Sequence, residues 1–249
     1  MNYTTIKYQN QGAIARITLF RPEKLNALTE IMLSEWRSCL EKIAADDACR
    51  VVIVNGEGKS WSAGVDLAVF QRIKIEPGFQ AWEDGQEIMR LLETMPQVTI
   101  AELNGYCFTG ALEILMAFDL IIAADEAKLG DTHTKWGIPP KWGMTQRLAQ
   151  QIGLRKAKEL SFTAQTFTGK QAAEWGLVNQ SVPLSDLSET VAQLARTIIQ
   201  NSGQTIAAVK DMYHFGSKHS LQEGLDYEQN FQTNLTDKAD DLLNFKKKI

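Results

Sequence analysis

Residues 97–125, QVTIAELNGYCFTGALEILMAFDLIIAAD, constrain this chain more than any other stretch. Residues 98–101 form an apolar run, Asn104-Gly105 a bend, residues 110–118 a helix-like pattern, and residues 120–124 a second apolar run. Glu113 is the only charged residue between Glu102 and Asp119. A carboxylate about one turn into an otherwise apolar helix loses hydration when buried and needs a compensating partner or task. One reading is a first-turn glutamate that complements the helix dipole and points to solvent. The other is a general base beside the open N–H groups of a helix N-terminus, which can hold a developing oxyanion. Gly110 favours the second, because a residue without Cβ lets a substrate approach the backbone closely.

The remaining chain supplies an α/β scaffold for such a site. Residues 13–20 alternate, with Ala15, Ile17 and Leu19 on one face and Arg16 and Thr18 on the other, as in a half-buried strand. Leu28, Met32, Trp36, Cys39, Leu40 and Ile43 mark a helix with one apolar side. Residues 51–54, VVIV, read as a strand covered on both faces. Residues 71–83 look like an irregular surface loop broken at Pro77-Gly78, and residues 88–95 are helical. Helical patterns follow at 147–152 and 156–162, a helix runs from Thr168 to about Gly176, and 177–182 is a short strand. Three helical patterns then close the chain, at 187–200, 205–215 and 221–235, the last with Leu221, Leu225, Phe231 and Leu235 on one side. The alternation predicts an α/β layer architecture, with a core over residues 1–183 and an all-helical region over 184–249.

Composition narrows the function classes. With 249 residues, 44% of them hydrophobic and 22% charged, the chain suits one large domain with a small appendage. A net charge of −4 argues against a nucleic-acid footprint. No apolar run approaches the length of a membrane span, and residues 1–12 lack the apolar core of a signal peptide. Cys39, Cys49 and Cys107 read as small buried hydrophobes, which suits a reducing cytoplasm. Gly58-Lys59-Ser60 after a strand invites a phosphate-loop reading, but the motif needs a glycine where Ile53 stands. The three histidines, His133, His214 and His219, form no zinc-spaced cluster with cysteine, so no metal site is expected. No Gly-x-Ser-x-Gly elbow is present.

Four segments, taken together in order and spacing, resemble the crotonase (enoyl-CoA hydratase/isomerase) superfamily along nearly the whole chain. They are Arg21-Pro22-Glu23-Lys24-Leu25-Asn26-Ala27, Trp61-Ser62-Ala63-Gly64-Val65-Asp66-Leu67, the stretch from Asn104-Gly105-Tyr106 through Gly110 and Glu113 to Asp119, and residues 137–148 ending Met144-Thr145-Gln146-Arg147-Leu148. The resemblance implies a crotonase fold, a superhelical core of repeated ββα turns whose C-terminal helices assemble a homotrimer or homohexamer. It implies an acyl-CoA thioester substrate and no cofactor beyond the CoA that the substrate carries. By motif position, the backbone N–H groups of Val65 and Gly110 form an oxyanion hole for the thioester enolate. Glu113 matches the first of two hydratase glutamates, the one that activates water.

The second glutamate falls on His133, a departure from the pattern. Histidine can exchange a proton at the α-carbon near neutral pH. Asp131 is a weaker substitute. Ala63, Asp66, Leu67 and Lys24 are expected at the CoA end, with Lys246, Lys247 and Lys248 as a further basic cluster. Trp142 stands in a stretch that is glycine-rich in the family and is expected to reshape the acyl pocket, with Phe70, Trp82 and Trp136 as further lining. The implied activity is reversible hydration of a trans-2-enoyl-CoA. The alternatives are isomerisation, decarboxylation or thioester hydrolysis on the same scaffold, or CoA binding without turnover.

Overall fold

Two mostly parallel sheets carry the chain in a computed structural model that describes residues 3–69 and 80–232. The N-terminal half runs β1 (Ile6–Asn10), β2 (Ile14–Leu19), a 3-10 turn (Pro22–Lys24), α1 (Glu30–Ala44), β3 (Val51–Gly56), β4 (Ser60–Ser62), α2 (Gln80–Thr94), β5 (Val98–Leu103) and β6 (Tyr106–Phe108). Next come α3 (Gly110–Leu115), β7 (Leu120–Ala124), β8 (Lys128–Gly130), α4 (His133–Trp136), α5 (Met144–Ile152), α6 (Leu154–Thr163), β9 (Phe167–Thr168), α7 (Gly169–Glu174) and β10 (Gln180–Val182). Three helices follow, α8 (Leu184–Ile199), α9 (Gly203–Gly216) and α10 (Leu221–Asn230).

The larger sheet has the order β1-β2-β3-β5-β7-β10, and the smaller has β4-β6-β8-β9. Among the described residues, only the outer pairs β1–β2 and β8–β9 are antiparallel. Along β2, Ala15, Ile17 and Leu19 are buried and their neighbours half-buried, as the alternation predicts. In β3 the first four residues are all buried, and β5 is buried throughout, which explains their unbroken apolar character. Helix α1 turns its Met32, Leu33, Trp36, Cys39, Leu40 and Ile43 inward. Trp36, Trp61 and Phe118 then meet edge to face at 5.9 Å, joining α1 to the smaller sheet. All three cysteines are buried and unpaired.

Several boundaries differ from the sequence reading. Helix α2 begins at Gln80, so the expected irregular stretch extends no further than residue 79; residues 70–79, including Phe70, lie outside the described residues. Helix α3 stops at Leu115, where the Ala117 and Phe118 N–H groups donate only three residues back, to Ile114 O (3.0 Å) and Leu115 O (3.2 Å), turning the chain towards β7. Strand β1 has only Ile6 buried and Tyr8 half-buried, too few apolar residues for its alternation to register in the sequence. Strands β4, β6, β8 and β9 are two or three residues long, too short for a period of two to register.

The C-terminal helices are tied down in different ways. Helix α8 buries Leu187, Val191 and Ala195. Helix α9 is anchored by Lys210, whose Nζ donates to Leu92 O (2.7 Å), Gln97 O (3.0 Å) and Asp119 Oδ2 (2.7 Å). Asp119 also accepts from the Thr99 N–H (2.8 Å) and hydroxyl (3.0 Å). Asp119, the last residue of the 104–119 motif, is therefore a structural clamp. Residues 233–249, with Leu235 and the three lysines near the end, lie outside the described residues.

Asn26 plays a similar structural part at the first motif. It is fully buried with φ +53°, a left-handed conformation that asparagine tolerates better than most residues. Its amide donates to Glu57 O (3.0 Å) and Ser60 O (2.7 Å), and its Oδ1 accepts from the Arg21 N–H (2.8 Å). These bonds fasten the 21–27 loop to the segment leading into Ala63-Gly64-Val65. Asn26→Ala leaves three backbone groups without this partner, at about 1–3 kcal/mol for each that stays dry. The expected loss is roughly 3 kcal/mol in urea unfolding; a loss below about 1 kcal/mol would show that water replaces the amide.

Candidate active site

The turn at Val65 and the start of α3 meet at the mouth of one cavity. Leu28 bridges to Val65 in parallel fashion: the Leu28 N–H donates to Gly64 O (2.8 Å), and the Asp66 N–H to Leu28 O (2.9 Å). Successive N–H groups of an extended segment alternate in direction. The Val65 N–H therefore points away from Leu28, on the cavity side. Gly64 has φ +98°, and a Cβ there would strike Thr109 Oγ1 and Phe108 O, so the turn packs directly on the end of β6. Thr109, with φ +49° and ψ −120°, redirects the chain from β6 into α3. Its N–H donates to Gly130 O (3.1 Å). Gly110 then occupies the first helical position, whose N–H has no partner within the helix. A Cβ at Gly110 would come within 3.0 Å of both Val65 Cγ2 and the Trp142 ring. Val65 and the first residue of α3 thus pack closely where both line the cavity.

Glu113 does not face solvent: it is 1% exposed, which removes the surface-glutamate reading. Its Oε1 accepts from the backbone N–H groups of Trp142 (2.8 Å) and Met144 (3.0 Å). Its Oε2 lies 3.5 Å from His133 Nε2. The other imidazole nitrogen, Nδ1, is 2.7 Å from Asp131 Oδ1. Asp131 Oδ2 in turn accepts from the Ser161 hydroxyl at 2.6 Å. Burial opposes the charge on His133, but its bonds to Asp131 and Glu113 prevail and raise its pKa to about 9. For Asp131, burial pushes upward, and the bonds from His133 and Ser161 overcome it, holding the carboxyl below its usual value. His133 is accordingly an imidazolium at neutral pH, wedged between Asp131 and Glu113.

The cavity has a volume of about 530 Å3; among the described residues, those assigned to the site from sequence line it, with Asp131 held behind His133. Glu113, His133, Val65 and Gly110 form its chemical end. Ala63, Asp66, Leu67 and Lys24 lie along the same wall. Asp66 is braced by Arg21 Nη1 at 3.3 Å, and Leu67 is 62% exposed at the rim. Trp142 points inward. Its indole is buried, stacks on Trp82 with ring centres 4.9 Å apart, and donates from Nε1 to Trp82 O at 3.3 Å. A Cβ at Gly85 would collide with this ring, as one at Gly110 nearly would, so two glycines make room for the tryptophan. Trp82 and Trp136 also line the cavity.

Sequence reasoning missed three contributors. The Trp142 and Met144 N–H groups that hold Glu113 are backbone donors, which leave no side-chain signature. Ser161 comes from α6, 30 positions from Asp131. Asp131 was read as a stand-in for the missing glutamate, whereas the structure makes it the partner of His133. A short acidic-x-histidine spacing was the one signal available for it.

Comparison with known proteins shows the family. The family model described as enoyl-CoA hydratase/isomerase matches residues 9–248. A hydroxycinnamoyl-CoA hydratase-lyase from Pseudomonas fluorescens is 34% identical over 231 residues, covering 90% of this chain and 83% of that protein. A short-chain-enoyl-CoA hydratase from Clostridium acetobutylicum is 32% identical over 229 residues, covering 92% and 88%. The crystal structure of an enoyl-CoA hydratase from Bacillus anthracis superimposes with a TM-score of 0.87 at 32% identity, covering 98% of this chain and 97% of that one. The chain belongs to the enoyl-CoA hydratase/isomerase family, and its fold is the crotonase fold.

Proposed function

We propose that this protein catalyses the reversible hydration of a trans-2-enoyl-CoA to a 3-hydroxyacyl-CoA. One observation carries the reading: Glu113 Oε2 and His133 Nε2 face each other at 3.5 Å on a cavity that Val65 and Gly110 also line. A thioester carbonyl oxygen between their backbone N–H groups gains stabilisation as it becomes an enolate oxygen, an effect of about 10²–10³-fold for each donor. Glu113, fixed by two backbone N–H bonds, takes a proton from water as the oxygen attacks the β-carbon. His133, charged at neutral pH, gives its Nε2 proton to the α-carbon. The product has gained one water. Glu113 then holds one extra proton and His133 lacks one, and their direct contact lets that proton return when the product leaves.

The homologues named as hydratases support this reaction class. Acyl-CoA enters as the substrate, with Ala63, Asp66, Leu67 and Lys24 as the CoA-side contacts and Trp142 closing the acyl side. No cofactor is assigned beyond the CoA moiety itself. The region 184–249 is assigned to assembly as a homotrimer or homohexamer, in the cytoplasm. The test follows the conjugated enoyl-thioester absorbance with short and medium trans-2-enoyl-CoAs, with products identified by mass. Loss of absorbance with a gain of one water is the expected result. If no chain length gains water, the reading falls, and decarboxylation, isomerisation and hydrolysis substrates come next.

A further inference from the structure

Within the hydration reading, on which this inference rests, we propose that Asp131 and Ser161 are positioning residues that keep a proton on His133 Nδ1, so that Nε2 alone delivers and recovers the catalytic proton. The order of contacts is Ser161 Oγ to Asp131 Oδ2 (2.6 Å), Asp131 Oδ1 to His133 Nδ1 (2.7 Å), and His133 Nε2 to Glu113 Oε2 (3.5 Å). A carboxylate accepts but cannot donate, so the nitrogen beside it must carry the hydrogen. In the charged ring both nitrogens carry one. When the ring gives up a proton, the Nδ1 hydrogen stays with Asp131, and the vacancy falls on Nε2, beside Glu113 and the cavity. The ring cannot flip to the opposite tautomer without breaking the shortest bond it makes.

The brace is built from three separate elements. Asp131 follows β8, and His133 opens α4, whose N–H also donates to Asp131 Oδ1 at 3.3 Å. Ser161 lies on α6, and the Thr134 hydroxyl binds its carbonyl at 2.7 Å, locking α4 to α6. Asp131 is 2% exposed and His133 7%, so solvent does not compete for these contacts. The titratable groups facing the imidazole are Asp131 and, from α3, Glu113. Helix α6 contributes the non-titrating Ser161, and Lys24, Asp66 and Lys135 line the same cavity farther round. Histidine at position 133 thus comes with a device that a glutamate there would not need.

Asp131→Asn and Ser161→Ala test the proposal by two readouts. The first is the pH profile of kcat and KM for enoyl-CoA hydration. The second is the nitrogen-15 NMR signature of the His133 ring in the substrate-free enzyme, followed from pH 6 to 10. Wild type is expected to show the Nδ1–H tautomer once neutral. Asp131→Asn introduces an amide that can donate to Nδ1 and is expected to populate the Nε2–H tautomer. It should lower kcat by roughly 10²-fold with little change in KM, and move the alkaline limb of the profile down. Ser161→Ala alters no charge and does not touch His133, and is expected to change tautomer and kcat in the same direction by a smaller factor. If both variants keep the wild-type tautomer and alkaline limb, the proposal is overturned, whatever happens to kcat. If Asp131→Asn fails to fold, Ser161→Ala decides alone by the same criteria. If wild type hydrates nothing, the hydration reading fails, and the NMR arm still reports whether Asp131 holds the Nδ1 proton.

Discussion

Glu113→Gln is expected to stay folded and to lose about 10²–10⁴-fold in kcat for enoyl-CoA hydration. The amide oxygen of glutamine can take over the bonds from the Trp142 and Met144 N–H groups, so the loop over the cavity keeps its anchor. The amide nitrogen then faces His133 Nε2, where Oε2 stands 3.5 Å away in the wild type. A glutamine neither accepts a proton from water nor helps hold the charge on His133. The alkaline limb of the residual activity should therefore move down as well, because Glu113 is one of the two groups that raise His133 to about 9. Stopped-flow absorbance of the enoyl thioester, paired with circular dichroism, checks both effects. A variant retaining more than a third of wild-type kcat would remove Glu113 from the role of base.

The second large effect concerns stability. His133→Ala leaves Asp131 and Glu113, 2% and 1% exposed, without their shared cation. Removing one partner of a buried ionic group costs about 3–5 kcal/mol. The pH dependence fixes the mechanism. The folded protein raises His133 from 6.5 to about 9, so it binds the proton more tightly than the unfolded chain does. That contribution is fully present below about pH 6.5 and is lost as the pH rises through 9. Asp131 is shifted the other way, from 3.8 downward, so its contribution is present above that value and lost as the pH falls through the lower one. The two are faces of one interaction and are not summed. Urea unfolding of the wild type should weaken between pH 6.5 and 9, and His133→Ala should flatten that decline. A variant with the wild-type slope would assign the pH dependence to other groups.

Much of the scaffold was readable because its elements obey their own periods. The one-sided apolar pattern of α1, the alternation of β2 and the unbroken apolar run of β3 each correspond to an observed burial pattern. The site residues were readable for a different reason. Val65, Gly110 and Glu113 sit in motifs whose glycines and asparagines are demanded by tight packing: Gly64 against Thr109, Gly110 against Trp142, and Asn26 against three backbone groups. Those demands leave marks in the sequence even though their partners are distant.

The α/β class, the family and the identity of the buried carboxylate were all legible before folding. These rest on local periodicity and on residue types that few conformations permit. Tertiary structure alone decided what His133 is. A histidine two residues after an aspartate could as well have been a loop residue bonding backbone. It becomes a charged partner of Glu113 because β8 and α3 bring the two within 3.5 Å, and because α6 delivers Ser161 to the far side of Asp131. Protonation follows the field of the surrounding groups, and that field is a sum over distances that do not exist until the chain has folded.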